Sequence, residues 1–132
     1  IRDYVAAGGG LLMVGGYLTF QGIEAKGAYL GTAVEEALPV SLLPSDDRVE
    51  SPQGVVPRLV QDHPILEGLE DWPHFLGYNR TRLKEGAELV AAVGDDPFIA
   101  AMTFGRGRSA VFTSDCGPHW GPPEFVAWPH YG

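Results

Sequence analysis

Short, wholly apolar runs bounded by glycine and proline organise this chain. Leu11-Leu12-Met13-Val14 lies between Gly8-Gly9-Gly10 and Gly15-Gly16. A run that is apolar at every position, without alternation, is what a parallel strand buried on both faces requires. Ahead of it, Tyr4-Val5-Ala6-Ala7 reads as the end of an amphipathic helix. The glycines stop that helix, one of them in the left-handed conformation after the C-cap. Helix, central strand and Gly-rich turn make one unit of a doubly wound α/β sheet. Tyr17-Leu18-Thr19-Phe20-Gln21-Gly22 then follows as a loop with polar tips.

Thr32 to Leu38 reads as a short helix: Thr32 caps it, Glu35 completes a capping box, and Pro39 follows its end. Ser45 to Pro57 is polar and punctuated by proline and glycine, with Arg48-Val49-Glu50 a short strand. His63 to Leu69 reads as a turn plus one helical turn. Three strand-like runs come next, around Tyr78–Leu83, Glu88–Val93 and Phe98–Phe104. Gly94-Asp95-Asp96-Pro97 predicts an antiparallel hairpin between the last two. Gly105-Arg106-Gly107 turns the chain again into Ser109–Thr113. A mostly parallel α/β core carrying an antiparallel meander is the expected architecture, as one domain over residues 1–132.

Composition narrows the partners. Nine basic against seventeen acidic residues give a net charge of −8. Nucleic acids and anionic membranes recruit Lys/Arg patches, so neither is expected as a partner. The longest apolar runs fall far short of the roughly 18 residues of a membrane span. One cysteine cannot form an internal disulfide, and the opening carries no secretory pattern, so the cytoplasm is the expected compartment. The chain opens at Ile1 in the back half of a helix and closes at Trp128–Gly132 in a loop. It therefore reads as the C-terminal portion of a longer domain. An unpaired central strand predicts homo-oligomerisation, or association with the missing N-terminal portion through Ile1–Val14.

Candidate chemistry concentrates after the last strand, in Ser114-Asp115-Cys116-Gly117-Pro118-His119-Trp120-Gly121-Pro122-Pro123-Glu124. Ligands of open α/β sheets bind beyond the carboxyl ends of the strands, where Asp115, Cys116, His119 and Glu124 would lie. A nucleophilic Cys116 would need a neighbouring imidazole or helix N-terminus to lower its pKa. Buried, inert cysteine is the commoner fate of the residue. The four side chains match no zinc-ligand spacing, and no metal or cofactor is expected. The glycine clusters match neither the dinucleotide fingerprint nor the Walker loop, so they read as tight turns. Asp46-Asp47 and Asp95-Asp96 read as turn formers, and Trp72, Trp120 and Trp128 as packing residues.

Tyr4–Gly16, Asp46-Asp47-Arg48-Val49, Asp62-His63-Pro64-Ile65-Leu66, Leu76-Gly77-Tyr78-Asn79-Arg80 and Ser114–Pro123 resemble the class I glutamine amidotransferase-like superfamily. Within it they resemble the bacterial "putative glutamine amidotransferase" subgroup, which is related to trehalose-utilisation-type domains. The resemblance implies a flavodoxin-like three-layer sandwich whose first strands lie upstream of Ile1. Working members carry a Gly-x-Cys-x-Gly-x-Gln elbow and a His-x-Glu pair. Here Gln21 aligns with the pattern's Gln, which puts Tyr17, or Gly16 with a one-residue shift, at the nucleophile position. His119 and Glu124 are five apart rather than two.

Three functional expectations follow. One is an amidotransferase-like protein without the elbow cysteine, its pocket between the Gly15–Gln21 turn, with Gly15, Gly16, Tyr17 and Gln21 as its ligand-binding residues, and the Asp115–His119 loop. Another is a non-catalytic module that binds a small molecule or a partner. The third is a hydrolase of other chemistry, using His119 with Asp115 as acid and base.

Overall fold

The computed structural model describes residues 1–69 and 72–131; Gly132, the end of the closing loop expected above, lies outside them. Along the chain the elements run α1 (Arg2–Ala6), β1 (Gly10–Val14), α2 (Ala33–Ala37), β2 (Val40–Ser41), β3 (Arg48–Val55), β4 (Arg58–Leu59) and β5 (Phe75–Asn79). They continue with β6 (Arg82–Leu83), β7 (Glu88–Val93), β8 (Asp96–Phe104), β9 (Gly107–Phe112) and α3 (Pro123–Val126). Single 3-10 turns stand at Ile23–Ala25 and Pro64–Leu66.

Helix α1 stops for the reason its glycines suggest. The Gly8 amide donates to Val5 O and the Gly9 amide to Tyr4 O, with Gly8 at φ 120°. That is the paired 5→2 and 6→1 closure of a Schellman end, which a residue without Cβ accepts at least cost. The chain then enters β1 directly, alongside the distant β9. The two run parallel, with Leu12 opposite Ala110 and Val14 opposite Phe112. Their carboxyl ends therefore open on the same side.

The main sheet has the order β1-β9-β8-β7-β4. Only β1 with β9 is parallel; β9 with β8, β8 with β7 and β7 with β4 are antiparallel. The sheet is thus mixed, correcting the expectation of a mostly parallel one. The cause is local: the tight turns at Gly94-Asp95 and Gly105-Arg106 leave no room for the helical crossover a parallel pair needs. The meander β7-β8-β9 stands as the turn residues indicate. Two further antiparallel pairs, β2 with β6 and β3 with β5, lie outside this sheet.

Successive residues of a strand face opposite sides, so the sheet carries two cores. Met13, Val111 and Ala100 stand in register on one face and pack with Phe20, Leu38, Val40 and Leu42. Ile99 and Phe112 stand in register on the other and pack with Phe75, Tyr78, Phe98 and Phe125. Phe75 is the centre of the second core, its ring 5.0 Å from that of Phe98 and 4.9 Å from that of Phe125. Helix α2 forms at the expected place, with Thr32 Oγ1 accepting from the Glu35 amide. Glu35 does not close a box onto Thr32, however. Its carboxylate takes the amides of Gly31 at 2.6 Å and Leu42 at 2.7 Å, tying the helix to the segment beyond it.

Candidate functional site

The site is built where β1, β9 and β5 end together. The Gly15 amide donates to Phe112 O at 2.8 Å, extending the parallel ladder by one rung. A Cβ at Gly15 would collide with the Thr113 carbonyl, so this close approach of two backbones requires glycine. The Asn79 amide donates to Thr113 O, which pins the end of β5 to the end of β9.

From that point the fully buried Asn79 side chain holds the turn. Its Oδ1 accepts from the Gly16 amide at 2.8 Å; its Nδ2 donates to Gly16 O at 3.1 Å and to Asp47 Oδ1 at 2.8 Å. Asp47, also buried, accepts the Gln21 and Gly22 amides, both at 2.9 Å. Buried polar groups this fully bonded rigidify what they touch. The loop they hold is strained: Phe20, Glu24, Ala25 and Ala28 all have φ between 51° and 59°, although none is glycine. Such backbone persists only where its surroundings over-determine it, and Asp46 adds a further anchor at the Glu24 amide.

Tyr17 projects from this turn into a cluster. Its hydroxyl donates to Glu50 Oε1, and its ring lies 4.3 Å from that of His119 and 5.5 Å from that of Trp120. The Arg48 guanidinium sits 4.5 Å from the Tyr17 ring centroid, a cation–π geometry. Arg48 is oriented by a fork onto Asp46, Nε at 3.0 Å and Nη2 at 2.8 Å. That fork holds the Asp46 carboxyl well below the usual range and raises Arg48. The bond to Glu50, with partial desolvation second, raises Tyr17, so its hydroxyl stays protonated.

The loop after β9 closes the other side. Asp115 accepts the Trp120 amide through both oxygens at 3.1 Å and the Gly121 amide at 3.0 Å. Its carboxylate is thus engaged by the backbone of its own loop. Trp120 is fully buried, and its Nε1 donates to Glu50 Oε2 at 3.2 Å. Gly77 makes room for that indole, which occupies the place of a Cβ. His119 is exposed, and among the described residues no carboxylate forms an ion pair or hydrogen bond with it. Cys116 is exposed rather than buried, against the commoner fate of a lone cysteine; partial desolvation first and the Asp115 charge second push its thiol up. Glu124 is exposed in the first turn of α3. Gln21 is buried and turned inward, its Oε1 accepting from the Leu30 amide at 3.0 Å.

Of the residues singled out from sequence, Gly15, Gly16, Tyr17 and His119 come together, with Asp115 beside Gly16. Among the described residues, Cys116 and Glu124 make no side-chain hydrogen bond to this group. Arg48, Glu50, Asp47 and Asn79 were missed as site residues. Two of the phrases that carry the family resemblance, Asp46-Asp47-Arg48-Val49 and Leu76-Gly77-Tyr78-Asn79-Arg80, are the signal that could have found three of them. No group of three or more His, Cys, Asp or Glu side chains among the described residues is arranged to hold a metal ion.

The family model GATase1_like, described as "Putative glutamine amidotransferase", matches residues 1–132. This chain belongs to that family. Among solved structures it is similar to the cytoplasmic protein STM1381 from Salmonella typhimurium LT2, at 48% identity and a TM-score of 0.95. That match covers 99% of this chain and 54% of the Salmonella one. The cytoplasmic protein STM3548 from Salmonella typhimurium is 46% identical with a TM-score of 0.94, over 98% of this chain and 53% of its own. The GATase1_like chain thus spans about half the length of the solved structures it matches. No curated protein matches it. Among the described residues no helix is long and apolar enough to cross a membrane.

Proposed function

We propose that this GATase1_like chain is the ligand-binding part of a cytoplasmic amidotransferase-like protein that does not hydrolyse glutamine through a covalent thioester. The observation that carries this reading is the residue on the turn after β1. Tyr17 stands there, its hydroxyl bonded to Glu50 and its ring against Arg48 and His119. A thioester needs a thiol at the nucleophile position, and the turn carries the Tyr17 phenol there instead.

Cys116 does not supply the missing thiolate on this reading, since its surroundings raise its pKa where a reactive cysteine needs it lowered. The acid–base hydrolase reading is weaker for a separate reason. Asp115 is spent on the Trp120 and Gly121 amides, so among the described residues no carboxylate orients His119. A rigid turn, an exposed imidazole and a paired guanidinium and carboxylate are the equipment for holding a small polar molecule. Architecturally, the reading places this chain within a flavodoxin-like three-layer sandwich whose remaining parallel strands are the part of the relatives it does not span.

Ammonia release from glutamine by the purified protein tests the chemistry. No release above the buffer rate is expected, for the parent and for Tyr17→Phe alike. Release that Cys116→Ser abolishes overturns the reading. Backbone NMR shifts on titration with a metabolite set test the site; binders that all leave Tyr17, Glu50 and His119 unmoved overturn it.

A further inference from the structure

Resting on the ligand-binding reading above, we infer that the site takes a neutral, planar cyclic amide. Such a ring carries an N–H beside a C=O, as in a lactam, a cyclic ureide or a pyrimidine base, and Glu50 and Arg48 read that edge. Arg48 and Glu50 are two positions apart on β3, opposite Asn79 and Gly77, so they stand on one face of the strand. Their charges are opposite, yet they do not bond. Arg48 Nη1 stops 4.0 Å from Glu50 Oε1, beyond hydrogen-bond distance.

Other partners hold the two apart. Arg48 turns Nε and Nη2 onto Asp46 and lies against the Tyr17 ring. Glu50 gives one oxygen to the Tyr17 hydroxyl and the other to Trp120 Nε1. Among the described residues Nη1 makes no hydrogen bond, although the Arg48 side chain is only 19% exposed. Each Glu50 oxygen has a single side-chain donor and keeps acceptor capacity. A fixed donor thus stands beside a fixed acceptor, and a ligand that fits them need not first order either side chain. The complement of that pair is an acceptor beside a donor.

Charge narrows the class. Asp46 already offsets Arg48, so Glu50 leaves the cluster negative. A carboxylate or phosphate seated at Nη1 would lie against Glu50, and an ammonium at Glu50 would lie against Arg48; like charges set side by side select against both. A neutral ligand meets neither penalty. His119 adds the preference for a flat one. Its exposed imidazole lies 4.3 Å from the Tyr17 ring, the same ring that Arg48 covers and whose hydroxyl Glu50 binds. A second flat ring held by the pair can stack there, whereas a polyol presents hydroxyls without a π face.

The test titrates uracil, hydantoin and pyrrolidinone into the purified protein and follows NMR shifts. Their N-methylated forms, thymine, ribose and acetate are run alongside. At least one cyclic amide should move Tyr17, Glu50 and His119 together. N-methylation removes the donor and should weaken binding about tenfold or more, the range for a hydrogen bond to a charged group. Thymine, whose methyl is on carbon, should bind as uracil does. Glu50→Gln turns one acceptor into a donor; it should weaken the parent amide by a similar factor and leave its methylated form unchanged. Should that variant not fold, the parent and methylated ligands still decide on the unaltered protein. Binding of none of the three amides at these residues overturns the inference, as does equal binding of a methylated form. Ribose or acetate moving the three residues more tightly than any amide would end this inference and leave the ligand-binding reading standing. Silence of the three residues toward every metabolite would end both.

Discussion

Asn79 bonds both the amide and the carbonyl of Gly16, a residue 63 positions earlier in the chain. A backbone turn is thereby held by a side chain as a neighbouring strand would hold it. The same amide group reaches Asp47, so the turn after β1 and the strained loop behind it share one anchor.

Removing that anchor has a cost that can be measured. Asn79→Ala leaves the buried Gly16 amide and carbonyl without their side-chain partner and takes from Asp47 Oδ1 one of its two donors, the other being the Gly22 amide. The expected loss is roughly 1–3 kcal/mol, read as a lower urea midpoint with an unchanged slope. A loss below about 0.5 kcal/mol, the range of ordinary surface changes, would mean that the turn holds without its clamp.

Tyr78 gives the stability a pH dependence on the alkaline side. Burial first, and the hydrogen bond to Asp96 at 2.8 Å second, push its hydroxyl from 10.0 up to about 12. The folded state therefore keeps a proton that the unfolded state has begun to lose. The contribution is whole below pH 10.0 and disappears as pH rises toward about 12. Unfolding midpoints for the parent and Tyr78→Phe should converge across that window. A gap that stays constant there would place the stabilisation elsewhere.

Cys116 should behave as a sluggish thiol. Its alkylation by iodoacetamide is expected to rise with pH to a midpoint above 9.0, since partial burial and the Asp115 charge both disfavour the thiolate. In Asp115→Asn, with one of those causes removed, the midpoint should fall. A parent midpoint well below 9.0 would identify an activated cysteine and reopen the nucleophile reading.

The fold was legible where the sequence speaks locally. The apolar run of β1, the hairpin at Gly94-Asp95 and the turn at Gly105-Arg106 are all set by residues within a few positions. The strand read at Tyr78–Leu83 instead divides into β5, ending at Asn79, and β6 at Arg82–Leu83. The chain leaves the ladder at Arg80, whose amide goes to Asp47 O, and no periodicity encodes that partner. Similarly, β3 runs through Pro52 and Gly54 to Val55 because β5 pairs with it across a register shift. The site divides the same way. Tyr17 and His119 flank readable strands, and both could be placed. Asp47 resembles any turn aspartate until the fold brings Asn79, Gln21 and Gly22 to it.

The pairing of β1 with β9 also governs the order in which this molecule can form. Arg106 reaches Ala7 O across 99 residues, and β1 meets β9 only once the chain between them has been gathered. Closing a loop of that length sacrifices chain entropy before any contact repays it, and topologies rich in such distant pairings fold slowly. The glycine turn that carries Tyr17 inherits this dependence, because Phe112, Asn79 and Asp47 all lie far downstream. The native geometry of residues 10–22 thus rests on contacts that come from far along the chain.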